Sequence, residues 1–304
     1  MITSFKDIVK AAKQVGGKKL LVPSPVAQDL SLLADACSAG LISPCFIGDA
    51  GAIQAMIADS PLLKGKCEII EENDPRQVSG RAVSLVREGR ADILMQGGIA
   101  HQDLTDAMLD KNGGLKSGRV ASYVSLFELL KRKKLILITD TYVNNSPGIA
   151  EKQAILENAL ALARRLGMEK PKTAALAAIE QVNPGIPSTL DAAILSKMAD
   201  RRQFGNAVVE GPLDIDCALS SVAAERKGLK SEVTGNVDIY LVPEIDTGHL
   251  LAEALVFFGR MQTAGAVMGT SSPVILKMPF VADANRIVEI ALACLLCGKG
   301  GRNG

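Results

Sequence analysis

Asp238-Ile239-Tyr240-Leu241-Val242-Pro243 opens a stretch that decides how the whole chain is read. It is a short apolar run of strand type. Glu244-Ile245-Asp246-Thr247-Gly248-His249 breaks it, an apolar-periodic segment runs from Leu250 to Phe258, and a second strand-like run covers Ala264 to Met268. Gly269-Thr270-Ser271-Ser272-Pro273 then turns the chain again. The order is strand, turn, helix, strand, turn, with polar and glycine residues after each strand. In open α/β sheets ligands sit beyond the carboxyl ends of the strands, so both turns are candidate walls of one site.

The same alternation fills the rest of the chain. Strands are expected at 19–22, 44–47, 67–70, 93–95, 135–140, 173–178 and 207–209, separated by helical segments such as Phe5 to Val15, Ala27 to Ala39, Pro75 to Glu88 and Ala150 to Leu166. Val120 to Leu130 is mixed, and Gly211-Pro212-Leu213 is expected to stop its strand. The fold class expected is α/β, with mainly parallel sheets built from right-handed βαβ units. With 48% hydrophobic and 3% aromatic residues and no Trp, the core must be aliphatic, which suits parallel sheets covered on both faces. The tail from Gly298 to Gly304 is expected to be disordered.

Several function classes are disfavoured. A net charge of +1 argues against a nucleic-acid surface. No apolar segment reaches the length of a membrane span, and the first residues, Met1-Ile2-Thr3-Ser4-Phe5-Lys6-Asp7, lack the pattern of a signal peptide. A cytoplasmic protein is expected. The CxxC of Cys294 and Cys297 lies inside an apolar helical run, where buried thiols are the simplest reading.

Chemistry is expected in the strand-end loops: Gln96 to Asp103, Asp140 to Gly148, Glu210 to Asp216, Asp246 to His249 and Gly269 to Ser272. None is a nucleotide fingerprint. Gly97-Gly98 and Gly269-Thr270-Ser271 are candidates for presenting backbone N–H groups to a phosphate. The two histidines of the chain, His101 and His249, both fall in these loops, near Asp103, Asp106, Asp246 and Glu253. Their spacing matches no metal motif, so no metal site is assigned.

These loops and the segments beside them carry a family resemblance. Val143-Asn144 with Pro147 after Asp140, Glu151-Lys152-Gln153-Ala154-Ile155, Pro184 with Thr189 to Ala199, Gly211-Pro212-Leu213 with Asp216 and Ala218, Ala223-Ala224-Glu225 with Lys227-Gly228, and Asp238 to Pro243 together resemble the phosphate acetyl/butyryltransferase family, nearest its butyryl branch. The resemblance implies two α/β domains like those of isocitrate and isopropylmalate dehydrogenases, with a cleft between them. One would comprise residues 1–125 plus 271–304, the other 126–270. It also implies transfer of an acyl group between acyl-CoA and inorganic phosphate, coenzyme A thioester serving as substrate with no further cofactor, in a homodimer.

Under that reading His249 is the candidate proton donor to the leaving thiolate, and Asn144 and Ser146 are the other catalytic candidates. Gly97, Gly98, His101, Asp246, Thr247, Gly248, Gly269, Thr270, Ser271 and Lys277 are the candidates for binding substrate. The chain departs from the family pattern where Asp106, Glu253 and Met278-Pro279 stand at positions usually holding Arg, Lys and Ser-Arg. An acid in place of Arg repels an anion. Two other readings follow from these exchanges: a divergent enzyme on the same fold that takes a metal or a cationic substrate, and a catalytically silent homologue that binds CoA or another ligand.

Overall fold

The computed structural model describes residues 1–115 and 117–297. The expectation of disorder for the tail from Gly298 lies outside them. The chain divides into two compact units, one comprising Met1–Ser4 with Ser122–Thr263 and the other Phe5–Ala121 with the chain from Ala264 onward.

In chain order the second of these units begins with α1 (Phe5–Val15), β1 (Lys18–Pro23), α2 (Ala27–Ser38), β2 (Ile42–Gly48), α3 (Ala50–Ile57), β3 (Glu68–Glu71), α4 (Pro75–Arg87), β4 (Ile93–Met95) and α5 (His101–Leu109). Two of its helices start where the sequence supplies a capping side chain. Asp49 accepts from Ala52 N, and Asp74 accepts from Arg76 N just ahead of Pro75, so an otherwise orphan N–H is satisfied at each start.

The other unit carries β5 (Ser122–Leu129), β6 (Lys134–Thr139), α6 (Ile149–Arg165), β7 (Lys172–Leu176), α7 (Pro187–Asp200), β8 (Val208–Leu213), α8 (Ile215–Leu219), α9 (Ser221–Arg226), β9 (Ile239–Leu241) and α10 (Ile245–Phe257). Thereafter come β10 (Thr263–Met268), β11 (Val274–Ile275) and α11 (Arg286–Leu296).

The sheet of the first-listed helices has the order β11-β4-β1-β2-β3 and is parallel throughout. Leu20, Leu21, Val22, Phe46, Ile47, Ile93 and Leu94 form its fully covered centre. The second sheet has the order β10-β5-β6-β9-β7-β8. There β5 and β6 are antiparallel, while β6, β9, β7 and β8 run parallel. The α/β class with mainly parallel sheets is thus what the chain adopts.

Three local expectations change. Val120 to Leu130, read as mixed, contains the regular strand β5, whose first six residues are all buried. Its serines obscured the pattern, and each has a buried partner: Ser122 Oγ accepts from Asn158 Nδ2 and Ser125 Oγ pairs with Thr141 Oγ1. Gly211-Pro212-Leu213 does not stop a strand but completes β8, which lies at the edge of its sheet. An edge is where a strand tolerates Pro. Finally, His101 and the segment Asp246 to His249 are not in loops. They form the first turns of α5 and α10.

Candidate active site

The loop after β6 is organised by one carboxylate. Asp140 is buried, and its Oδ1 accepts from the backbone N–H groups of Tyr123, Tyr142 and Val143 at 3.0, 2.9 and 3.1 Å. Its Oδ2 accepts from Asn144 N at 3.0 Å and from Asn144 Nδ2 at 2.6 Å. Burial pushes this carboxyl up, and the same N–H groups act against that push. Every one of these neighbours is a donor, so a carboxylic acid proton would find no acceptor. The ionised form is the one this cage fits. Asn144 is thereby held by both its backbone and its side chain, while Ser146 lies exposed two residues on.

The start of α10 packs directly on this loop. Glu244 caps the helix, accepting from Asp246 N and Thr247 N. Partial burial raises the Glu244 carboxyl, but these bonds and the nearby Lys152 ammonium outweigh it and hold the group below the usual carboxylate range. Asp246 and Thr247 are exposed in the first turn. Gly248 is required by close approach: a Cβ there would lie 2.4 Å from the Asp140 carbonyl oxygen and 2.9 Å from Val242 Cγ2. Next to it, His249 places Nδ1 3.3 Å from the Thr141 carbonyl oxygen and Nε2 3.4 Å from Glu253 Oε1. The Tyr142 ring stands 6.0 Å from the imidazole. So Asn144, Gly248 and His249, distant in sequence, are brought to the carboxyl ends of β6 and β9. Lys152 and Asp191 make a largely buried ion pair of 2.6 Å behind them, a contact that the sequence reading missed.

A second cluster lies at the carboxyl ends of β1, β4 and β11. Gly97 and Gly98 are where the β4–α5 turn meets the β1–α2 turn. A Cβ on Gly97 would lie 1.9 Å from the Pro23 carbonyl oxygen, and one on Gly98 2.6 Å from Val26 Cγ1. Gly98 N donates to Ser24 O at 2.6 Å. The two glycines therefore serve close backbone packing, and the Gly98 N–H is committed within the fold rather than offered to a phosphate.

Lys277 is also committed. Its Nζ lies 2.5 Å from Asp29 Oδ1, with the Asp29 side chain 6% and the Lys277 side chain 17% exposed. It donates as well to Gly97 O at 3.3 Å, and Lys277 N donates to Gln96 Oε1 at 2.9 Å. Gly269 O accepts from Ser117 Oγ, and Ser271 N donates to Leu115 O. The loop Gly269-Thr270-Ser271 is thus fastened to the segment after α5.

His101, at the start of α5, is half-buried, and desolvation lowers its pKa below the ordinary imidazole value. The sign of the consequence is definite. The unfolded chain binds this proton more readily, so His101 costs no stability above the unfolded pKa near 6.5 and destabilises the fold as pH drops below it. The urea midpoint should therefore fall between pH 7 and pH 5.5 less steeply in His101→Gln than in the parent chain. Equal slopes would mean that His101 titrates as it does in water.

The acidic residues after β7 and β8 form a third group that the sequence reading did not isolate. Lys227 Nζ lies 2.6 Å from Glu180 Oε1, 2.9 Å from Asp216 Oδ1 and 3.6 Å from Asp214 Oδ2. Its hydrogen bonds hold Glu180 and Asp216 below the usual carboxylate range. Burial pushes the adjacent Cys217 thiol up to about 12. Among the described residues, Glu180, Asp216 and Cys217 are the group whose potential ligand atoms gather within 4.8 Å. The Lys227 ammonium already supplies the positive charge there.

Comparison with known proteins agrees with this architecture. The model of the family described as phosphate acetyl/butaryl transferase matches residues 65–294. The phosphate butyryltransferase of Clostridium acetobutylicum is 37% identical over 302 residues, which cover 98% of this chain and 100% of that protein. The phosphate acetyltransferase of Rhizobium meliloti is 31% identical, covering 98% and 94% respectively. Among solved structures, a branched-chain phosphotransacylase from Enterococcus faecalis V583 superposes with a TM-score of 0.75 at 29% identity, covering 91% of this chain and 98% of that one. A phosphotransacetylase from Streptococcus pyogenes has a TM-score of 0.82 at 18% identity, over 96% and 98%, and shows the shared fold.

Proposed function

Because this chain belongs to the phosphate acetyl/butyryl transferase family, we propose that it moves an acyl group between the sulfur of coenzyme A and inorganic phosphate. The observation that carries this reading is the 37% identity spread over 98% of the chain. The chemistry is attack of a phosphate oxygen on the thioester carbonyl with departure of the CoA thiolate. Asn144, fixed by the Asp140 cage, is the candidate hydrogen-bonding group for substrate. His249 is the candidate carrier of the proton that the phosphate loses and the sulfur gains. CoA thioester enters as substrate, and the proposal needs no organic cofactor and no metal.

Phosphate is expected to bind weakly. Asp106, Glu253 and Met278-Pro279 supply no cation, and Lys277 is neutralised by Asp29. The assay is phosphate-dependent thiol release from acyl-CoAs between acetyl and isovaleryl, with and without divalent metal. Release without metal, with a high KM for phosphate, is the expected result. Release only with metal would favour the divergent enzyme, and no release from folded protein would favour the silent homologue.

We propose that the reaction takes place in the cytoplasm, where thiols stay reduced, a setting that suits the six free cysteines. No described helix is long and apolar enough to cross a membrane. The active form is proposed to be a homodimer. A groove of about 720 Å³ has Ile136, Ile138 and Tyr240 in its lining, together with Ile215 and Leu219 of α8 and Leu251 and Leu255 of α10. Phe257 and Phe258 stand 66% and 91% exposed at the end of the same helix, and Leu219 and Leu250 are also exposed. A surface that carries both an apolar groove and apolar projections can complement itself about a two-fold axis. Phe258→Glu should halve the mass measured by light scattering. An unchanged mass would place the interface elsewhere.

A further inference from the structure

The His249 imidazole is bracketed by two oxygens of different kinds. Nδ1 faces the Thr141 carbonyl at 3.3 Å, and Nε2 faces the Glu253 carboxylate at 3.4 Å. A carbonyl oxygen only accepts, so the hydrogen bond to Thr141 requires the proton on Nδ1. The Glu253 carboxylate also only accepts, so Nε2 meets it when the ring carries its second proton, and Nε2 is the atom able to take up and release one. The Tyr142 ring beside the imidazole, met edge-on by Tyr123, limits how the imidazole tilts. Its anchor is the Asp140 cage, because Thr141 and Tyr142 are the residues directly after Asp140.

We propose that Glu253 is a positioning residue for the acyl transfer: with Thr141 it holds His249 as a proton carrier that works through Nε2. The inference rests on the acyltransferase reading above and adds to it a specific atom and a specific partner. In the direction that forms acyl phosphate, a phosphate oxygen bonds to the acyl carbon and the C–S bond breaks, its electron pair remaining on sulfur. The proton of the phosphate hydroxyl passes to Nε2 and from Nε2 to sulfur. The balance needs no other reactant. Between the two transfers the ring is an imidazolium, and the Glu253 carboxylate faces its Nε2 at 3.4 Å.

The surrounding charges are consistent with this assignment. The loop after β6 contributes Asp140, satisfied by its own donors, and the Tyr142 phenol, which burial pushes up and so keeps neutral. The same helix contributes Asp246 and Glu253, and its cap Glu244 is held by its hydrogen bonds from Thr247 and Asp246. Glu253 is the carboxylate placed against Nε2 itself. It lies one helical turn along α10 from His249 and at 36% side-chain exposure, so replacing it should leave the fold intact.

The test has a structural arm and a kinetic arm. The full chain has two histidines, so nitrogen-15 NMR of the parent chain and of His101→Gln assigns the His249 ring. Neutral His249 should carry its proton on Nδ1, the minor tautomer of free imidazole. A ring protonated on Nε2 overturns the proposal. In the kinetic arm, Glu253→Gln should lower kcat by roughly tenfold, less than the roughly 100- to 10,000-fold that assisted proton transfer itself supplies, with KM for acyl-CoA unchanged and KM for phosphate no higher. The double variant with His249→Gln should be no slower than His249→Gln alone, since the two act as one unit. If His249→Gln is slow while Glu253→Gln is not, Glu253 has no such role, and the acyltransferase reading survives. If the parent chain releases no CoA, that reading fails, and with it the role of the dyad. The tautomer then still reports whether Thr141 sets the ring.

Discussion

Asp140→Asn should cost roughly 3–6 kcal/mol and reduce acyl transfer at least 100-fold. The carboxylate accepts three N–H groups on Oδ1 and two on Oδ2. An amide keeps one acceptor oxygen. With that oxygen at the Oδ1 position, the new NH2 faces Asn144 N and Asn144 Nδ2, so two donors lose their acceptor and meet a third donor instead. Each hydrogen bond to a charged group contributes about 1.5–3 kcal/mol, and the carboxylate that they serve is itself buried. Turning the amide the other way is worse, because three donors are then unmatched. The functional loss follows from position. Thr141, Tyr142 and Asn144 hang from this cage, and α10 rests on it through Gly248 and through the Ile245 N–H bond to Asn145 O. A displacement near 1 Å at reacting groups can cost on the order of 100-fold. Urea unfolding followed by circular dichroism, with thiol release on the same sample, reads both effects. A variant as stable as its parent would show that the cage is not what holds the loop.

Much of this architecture was legible because its elements are made of the right residues for their neighbours. Aliphatic runs such as Lys19 to Val22 and Ile93 to Met95 are the centre of a parallel sheet, where no polar face is needed and the run stays apolar. The misread segments have separate causes. The β5 serines look unfavourable until Asn158 and Thr141 are seen to meet them. The start of α10 was hidden because its cap is Glu244 rather than one of the usual Ser, Thr, Asp or Asn residues, and because Gly248 reads as a break. That glycine is there for the Asp140 carbonyl. For the candidate site, His249 and Asn144 were visible as polar residues after strands. The Asp140 cage that unites them was not, although an Asp at a strand end with an Asn four residues on is a local signal for it. Gly97, Gly98 and Lys277 carry the complementary lesson. Residues that suit a phosphate also suit the joining of strand ends, and sequence does not say which demand is met.

Lys277 shows how far apart these two demands lie, because they give opposite results for one substitution. As a phosphate ligand it would be dispensable for folding, and Lys277→Met would raise KM for phosphate while leaving the unfolding curve in place. As a structural cation it leaves Asp29 behind when it goes. The Asp29 side chain is 6% exposed, its Oδ1 lies 2.5 Å from the ammonium, and Oδ2 accepts only a long bond of 3.4 Å from Val26 N. Breaking a buried pair by removing one partner costs about 3–5 kcal/mol, because the remaining charge is uncompensated. The expected result is therefore a large fall in the urea midpoint. The α2 start and the Gly97-Gly98 turn should loosen together, since the Lys277 ammonium bonds to both through Asp29 and Gly97 O, while the backbone bond from Lys277 N to Gln96 Oε1 remains. Asp29→Asn placed on top of Lys277→Met should restore most of the loss. An amide oxygen can still accept from Val26 N, and no charge is then left unpaired. A double variant no more stable than Lys277→Met would assign the loss to the lysine's packing and its bond to Gly97 O. A stable Lys277→Met with a raised phosphate KM would return the residue to the substrate.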